Sequence, residues 1–174
     1  MDHATLAARV KAVALLEGDF TLRSGKKSKF YFDKYLFETQ PDILRAMGEE
    51  IARRLPPGTQ RIAGPELGAV ALAAAASLAS RIPFFIVRNA KKDYGTSKTI
   101  EGQLLPGDAV VLVEDIVTTG GQVVEAIKNI TAAGATVTKV IVALDRLEGG
   151  QDNILQAAPH VAYEPILTKT DMGM

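Results

Sequence analysis

The sequence predicts an α/β protein: a central, mostly parallel sheet flanked by helices, with a small N-terminal lobe. Three observations predict it. Runs such as "AVVLVED" (109–115) are apolar and β-branched without polar alternation, as expected of strands covered on both faces. From residue 59 onward, strand-like and helix-like stretches take turns along the chain. No repeat, low-complexity run or linker interrupts the 174 residues, so one domain spans 1–174, with a hood formed mainly by about 1–40.

The elements follow in order. Val10, Val13, Ala14 and Leu16 keep a helical period that Gly18 is expected to stop. "FTLRSGKKSKFYFDKYLF" (20–37) reads as a β-hairpin: a strand, an "SGKKS" turn and an aromatic-rich strand. "PDILRAMGEEIARRL" opens with Pro41 and places Ile43, Met47 and Ile51 on one face of a helix, which "PPG" ends. Then come the strand "RIAG", an alanine-rich helix over 67–80, the strand "PFFIVR" and a polar loop over 88–102. The strand "DAVVLVED" precedes the helix "GQVVEAIKNITAAG", closed by Gly134. The strands "TVTKVIVALDR" and "HVAYEPIL" complete the chain.

Composition excludes several chemistries. There is no cysteine, hence no disulfide, thiolate nucleophile or cysteine-bound zinc. Neither of the two histidines, His3 and His160, has a ligand-like partner at helical spacing, and histidine acid–base catalysis is not expected. Twenty basic residues balance twenty acidic ones, which gives nucleic acid or an anionic membrane no bulk attraction. The most apolar run, 69–79, is too short for a bilayer span of ~20 residues. Arg9 and Lys11 break any signal-peptide core at the start, so the expected location is the cytoplasm.

"VVLVEDIVTTGGQVVEAI" (110–127) carries the chemistry. A buried strand, then Thr118, Thr119, Gly120 and Gly121, then a helix, puts unpaired N–H groups and the positive end of a helix dipole at the sheet's carboxyl edge, where anions bind. No G-x-G-x-x-G or G-x-x-x-x-G-K-[ST] is present. Glu114 and Asp115 argue against a bare phosphate site. They suit a ligand with vicinal hydroxyls beside its phosphate, such as a ribose 5-phosphate moiety, or a metal ion. The plain alternative is a solvated strand end followed by an ordinary helix cap.

"VVLVEDIVTTGG" resembles the phosphoribosyl pyrophosphate (PRPP) signature of the type I phosphoribosyltransferases. "DFTLRSGKKSKFYFD" (19–33), "VRNAKKDYGTSKTIEG" (87–102) and "VALDRLEGG" (142–150) resemble segments of the orotate phosphoribosyltransferases within that group, in the same order. The resemblance implies a type I phosphoribosyltransferase fold with a small N-terminal hood. It implies transfer of ribose 5-phosphate from PRPP to orotate N1, giving orotidine 5'-monophosphate and pyrophosphate in de novo pyrimidine biosynthesis. It further implies Mg²⁺ held mainly by PRPP, with no certain protein ligand, and a homodimer whose 88–101 loop acts across the interface. A purine phosphoribosyltransferase, or a PRPP-binding regulator without catalysis, are the alternatives.

Residue roles carry over by the same resemblance. Glu114 and Asp115 match the pair that holds the ribose hydroxyls. Ile116, Val117, Thr118, Thr119, Gly120, Gly121 and Gln122 match the segment that holds the 5-phosphate, and Thr118 also matches a contact to orotate. Arg88, Lys91, Lys92 and Tyr94 match PRPP-binding positions of the loop, with Lys92 and Asp115 as the catalytic pair. Arg23, Phe32 and Arg146 match orotate-binding positions. Arg146 can hold a carboxylate with two parallel hydrogen bonds, or form a surface pair with Glu148. "GPELGAV" (64–70) resembles the pyrophosphate-binding backbone loop, without the tyrosine–lysine pair of some relatives. Asn89 stands where a second basic residue is usual, and Tyr94 where a histidine is common.

Overall fold

The computed structural model describes residues 1–21, 25, 27–89 and 99–173. Helix α1 (His3–Ala14) starts at Asp2, whose side chain accepts the Thr5 N–H at 2.8 Å. It ends four residues before Gly18. From Leu15 the backbone pairs with Phe32, and strand β1 (Leu15–Thr21) replaces the last turn of the expected helix. Its antiparallel partner is β2 (Lys27–Phe32). Glu17 faces Phe30 and Phe20 faces Ser28, so three steps on β1 oppose two on β2; Gly18 occupies this bulge rather than a helix end. The second strand of the hairpin stops at Phe32, short of the expected Phe37. Asp33 accepts the Tyr35 N–H at 3.0 Å and starts helix α2 (Lys34–Glu38).

Helix α3 (Pro41–Arg53) follows, with Pro41 in its first turn. Strand β3 (Arg61–Pro65), helix α4 (Gly68–Ser80) and strand β4 (Phe84–Val87) form a parallel unit. A two-residue strand β5 (Ile100–Glu101), absent from the sequence expectation, pairs antiparallel with β4. Strand β6 (Ala109–Val117), helix α5 (Gly121–Ala132), strand β7 (Thr136–Asp145), helix α6 (Gly150–Ala157) and strand β8 (Ala162–Thr168) complete the fold. Helix α6 has no counterpart in the sequence reading, and β6 runs two residues beyond the acidic pair.

The main sheet has the order β5-β4-β3-β6-β7-β8 and is parallel except for β5. Alternate residues of β6 feed two cores, one on each face. Val111 and Val113 join Leu6, Val10, Phe37, Met47 and Leu72 on the α1–α4 side. Val110 and Leu112 join Val123, Ile127, Ile130 and Ile154 on the α5–α6 side. A Cβ on Gly48 of α3 would lie 2.7 Å from the Ala75 carbonyl carbon of α4, so these helices meet backbone to backbone. No helix among the described residues is long and apolar enough to cross a membrane.

The topology places the site. β3 leads through α4 to β4 on one side, while its neighbour β6 leads through α5 to β7 on the other. The loops leaving β3 and β6 therefore part company. A crevice at the carboxyl ends of two such strands is where open α/β sheets bind ligands.

Candidate active site

The turn after β6 is built around Gly120. Its φ of 78° is one glycine adopts freely. A Cβ there would also lie 2.8 Å from the Gly150 carbonyl oxygen and 2.8 Å from Ile154 Cγ1. Helix α5 then begins without a side-chain cap, and its first residues border a cavity of about 430 Å³ lined by Glu114 and residues 116–123. Uncapped N–H groups facing a cavity at a helix N-terminus make an anion site. Helix α6 buttresses the turn: Asn153 Nδ2 donates to the Thr119 carbonyl at 3.0 Å, and Gly150 lies so close that a Cβ would come within 2.5 Å of the Thr118 carbonyl oxygen.

Glu114 of the acidic pair borders the same cavity, with Asp115 next to it in the strand. Glu114 is 4% exposed and Asp115 3%. Glu114 Oε1 accepts the Asp115 N–H at 3.1 Å, whereas its buried Oε2 has no hydrogen-bond partner among the described residues. Burial, reinforced by the charge of Asp115, holds the Glu114 carboxyl well above the usual carboxylate range. Asp115 Oδ1 accepts the Ile116 N–H, and Oδ2 accepts from Lys34 Nζ at 2.6 Å. Glu38, one turn beyond Lys34 on α2, is 3% exposed. Burial first, then the charge of Asp115, pushes its carboxyl up to about 8.

The β3 side of the crevice carries the turn Glu66–Gly68, whose Glu66–Leu67 peptide bond is cis. Asn89 clips to it twice: its backbone N–H donates to Glu66 Oε1 at 2.8 Å and its Nδ2 to the Glu66 carbonyl at 2.9 Å. Arg88 lies 3.9 Å from Glu66 Oε2 and 3.8 Å from Glu101 Oε1, and its buried Nε has no hydrogen-bond partner among the described residues. Arg88 and Asn89 line a second cavity of about 280 Å³, which shares Gly121 and Gln122 with the first.

Arg146 follows β7. Its backbone N–H donates to the Val117 carbonyl at 3.0 Å, which ties it to the start of the phosphate turn. Its guanidinium lies 3.0 Å from Glu148, the surface pair that the sequence left open, while its buried Nε has no hydrogen-bond partner among the described residues. Asp145, 1% exposed, fixes this turn by accepting the Leu147 N–H at 2.8 Å and the Tyr163 hydroxyl at 2.7 Å.

Comparison with known proteins decides the family. A model of the phosphoribosyl transferase domain matches residues 41–154. An orotate phosphoribosyltransferase of Methanocella arvoryzae is 48% identical over 139 residues, covering 80% of this chain and 79% of that protein. The enzyme of that description from Methanocaldococcus jannaschii is 44% identical over 155 residues, covering 89% and 87%. The chain belongs to the orotate phosphoribosyltransferase family. Among solved structures, the orotate phosphoribosyltransferase of Mycobacterium tuberculosis H37Rv in complex with PRPP has a TM-score of 0.82 at 27% identity, covering 100% of both chains. In complex with Fe(III) dicitrate it has a TM-score of 0.87 at 28% identity.

Against the residues expected of an orotate phosphoribosyltransferase, the structure brings Glu114, Ile116, Val117, Thr118, Thr119, Gly120, Gly121 and Gln122 around one cavity. Asp115 adjoins it through Glu114. Arg88 stands at the adjacent cavity, and Arg146 is held to the turn by its backbone. Phe32 packs against Phe37 at 6.0 Å between ring centroids and belongs to the α1–α4 core. Its ring is not part of either cavity lining. Arg23, Lys91, Lys92 and Tyr94 lie outside the described residues. Sequence reasoning missed Lys34, Glu38 and Asp145, whose partners come from elsewhere in the chain. For Asn153, the "GG" ahead of 151–157 and Pro159 after it were the available signals of a short helix.

Proposed function

We propose that the protein transfers the ribose 5-phosphate group of PRPP to N1 of orotate, releasing pyrophosphate and forming orotidine 5'-monophosphate for pyrimidine biosynthesis in the cytoplasm. One observation supports the residue assignment: a single cavity is lined both by the first residues of the uncapped helix α5 and by Glu114, whose buried Oε2 has no hydrogen-bond partner among the described residues. The first suits the 5-phosphate. The second is an acceptor that a ribose hydroxyl would satisfy, and such a bond would favour the ionised carboxylate. Asp115 accepts from the neighbouring hydroxyl.

The C1'–oxygen bond to pyrophosphate breaks as the C1'–N1 bond forms, and orotate N1 gives up its proton to solvent or to the leaving pyrophosphate; the transition state has oxocarbenium character, as in glycosyl transfer generally. The electron pair leaves with pyrophosphate. The protein's task is to neutralise that charge and exclude water. Arg88, Lys91 and Lys92 supply cations, with Tyr94 as a further donor, and the 88–101 loop acts in the neighbouring subunit's site of a homodimer. Arg146 and Arg23 take the orotate carboxylate and ring, with Thr118 beside the base. On orotate binding Arg146 would exchange Glu148 for this carboxylate.

Among the described residues no group of three or more histidine, aspartate or glutamate side chains is arranged to hold a metal ion. Mg²⁺, which takes few protein ligands and keeps phosphate oxygens and water, fits such a site when carried in on PRPP. When bound it would offset charge on the leaving pyrophosphate.

The test mixes purified protein, Mg²⁺, PRPP and orotate and follows the ultraviolet change on nucleotide formation, with adenine and hypoxanthine in parallel. Orotate turnover alone is expected. Purine conversion without orotate turnover would overturn the substrate, and tight PRPP binding without turnover would favour the regulator. Lys92→Ala is expected to lower turnover by ~100-fold with an unchanged circular dichroism spectrum; full turnover in that variant removes the loop lysine from the mechanism.

A further inference from the structure

Lys34 is the feature of the crevice that the roles above leave unused. It projects from the first turn of α2, 81 residues away in sequence from its partner, and its side chain is 31% exposed against 4% for Asp115. The space between them is made by Gly68: a Cβ there would sit 1.6 Å from Asp115 Oδ2 and 3.0 Å from Lys34 Nζ. Among the described residues, Glu38, Glu114 and Asp115 are all buried around this one ammonium, with Asp33 at the start of the same helix. Three buried carboxylates and one cation are not a generic surface pair. Removing the cation would leave a desolvated aspartate without counter-charge.

The bonds that Asp115 already makes show what the lysine does. An ionised carboxylate offers about four acceptor directions. The Ile116 N–H takes one on Oδ1 and Lys34 takes one on Oδ2, which fixes the plane of the group at two points. Neither oxygen accepts a further hydrogen bond from the described residues. We propose that Lys34 is a positioning residue for PRPP, acting through Asp115: it locks the carboxylate plane and offsets its repulsion from Glu114, so that the ribose diol meets two oriented acceptors. Burial pulls the Lys34 ammonium down, but its bond and attraction to Asp115 outweigh this and hold it above the usual lysine value. The lysine therefore stays charged across the neutral range.

This inference rests on the proposed PRPP reaction, and the experiment separates the two. Steady-state kinetics with each substrate varied are run on the wild type, Lys34→Met and Lys34→Arg, with melting curves to confirm folding. Lys34→Met is expected to raise the KM for PRPP by ~10-fold or more, the scale on which an orienting partner of a ligand-holding group is felt. The KM for orotate should move by less than about 3-fold, and Lys34→Arg should restore most of the loss. Should Lys34→Met not fold, Lys34→Gln, similar in length and uncharged, is read the same way. A merely structural lysine would change the melting temperature without this selective effect on one substrate. An active wild type with the PRPP KM of the neutral variant within two-fold of it overturns the inference alone, as does equal loss in the arginine and neutral variants. A wild type that turns over neither PRPP nor orotate overturns the reaction and the inference together.

Discussion

Gly68 does two jobs at one position. It is the first residue of α4, and the absence of its side chain is what lets Asp115 reach Lys34. Gly68→Ala would drive a methyl group to 1.6 Å from Asp115 Oδ2, so the carboxylate must swing away. Isothermal titration should show PRPP binding weakened by ~10-fold or more, a loss typical of a displaced charged hydrogen bond; unchanged affinity would mean that Asp115 is not needed where it stands. Glu38 gives a pH-dependent prediction. Its carboxyl is raised from 4.5 to about 8. Between those values the unfolded chain has released this proton and the folded chain keeps it, so stability is full below about 4.5 and declines as pH rises through the window. Glu38→Gln has no such proton to lose. Its melting temperature relative to the wild type should climb from pH 5 to pH 8, and a difference that stays flat would show that Glu38 ionises freely in the fold. Glu38 did not announce itself in the sequence, and Gly68 did so only as part of "GPELGAV", without any sign of its contact with Asp115 and Lys34. Glu114 and Asp115 were legible because a doubled carboxylate at the end of an apolar strand is a local pattern. Lys34 and Glu38 look like any polar positions of a short segment, and their meaning comes only from what the fold brings against them.

The same distinction holds between elements. Strands β3, β4, β6, β7 and β8 and helices α3, α4 and α5 were readable because each carries its own periodicity or apolar run. Helix α6 was not: its eight residues bury only Gly150 and Ile154, too few to show a helical period. The N-terminal boundaries failed for a related reason. Leu15–Glu17 fits a helix as well as a strand, and only its pairing with Phe30–Phe32 decides. The overlooked α6 nevertheless supports the phosphate turn, and this can be tested. Gly150→Ala would place its Cβ 2.3 Å from Val117 Cγ1, forcing α6 or the turn to shift. The KM for PRPP should rise by roughly 10-fold, the size of effect expected when a supporting contact is lost. Asn153→Ala, which deletes only the bond to the Thr119 carbonyl, should lower stability by about 1 kcal/mol, read in urea melts, and raise that KM less. Equal kinetics in both variants and the wild type would show that the turn holds its shape without α6.

For the whole molecule, the relevant fact is that the site belongs to both cores. The N-terminus of α5 sits on one face of the sheet, while Asp115 reaches Lys34 and the start of α4 on the other. A ligand bridging the phosphate turn and the acidic pair ties the two layers through the carboxyl end of β6, so neither layer can unfold without releasing it. PRPP should then stabilise the protein as a single unit. At 100 times its Kd a ligand bound only by the folded state contributes about 2.7 kcal/mol. For a chain of this size that corresponds to a rise of roughly 5–10 °C in melting temperature. Ribose 5-phosphate, which keeps both the phosphate and the diol, should also raise it once its own concentration is scaled to its Kd. Asp115→Asn should shrink the PRPP shift at fixed concentration, because an amide is a poorer acceptor for the diol and a poorer partner for Lys34. A scanning-calorimetry series would show one transition moving upward with PRPP. Two transitions, of which only one moves, would mean that the ligand engages a single layer and that the bridging geometry is wrong.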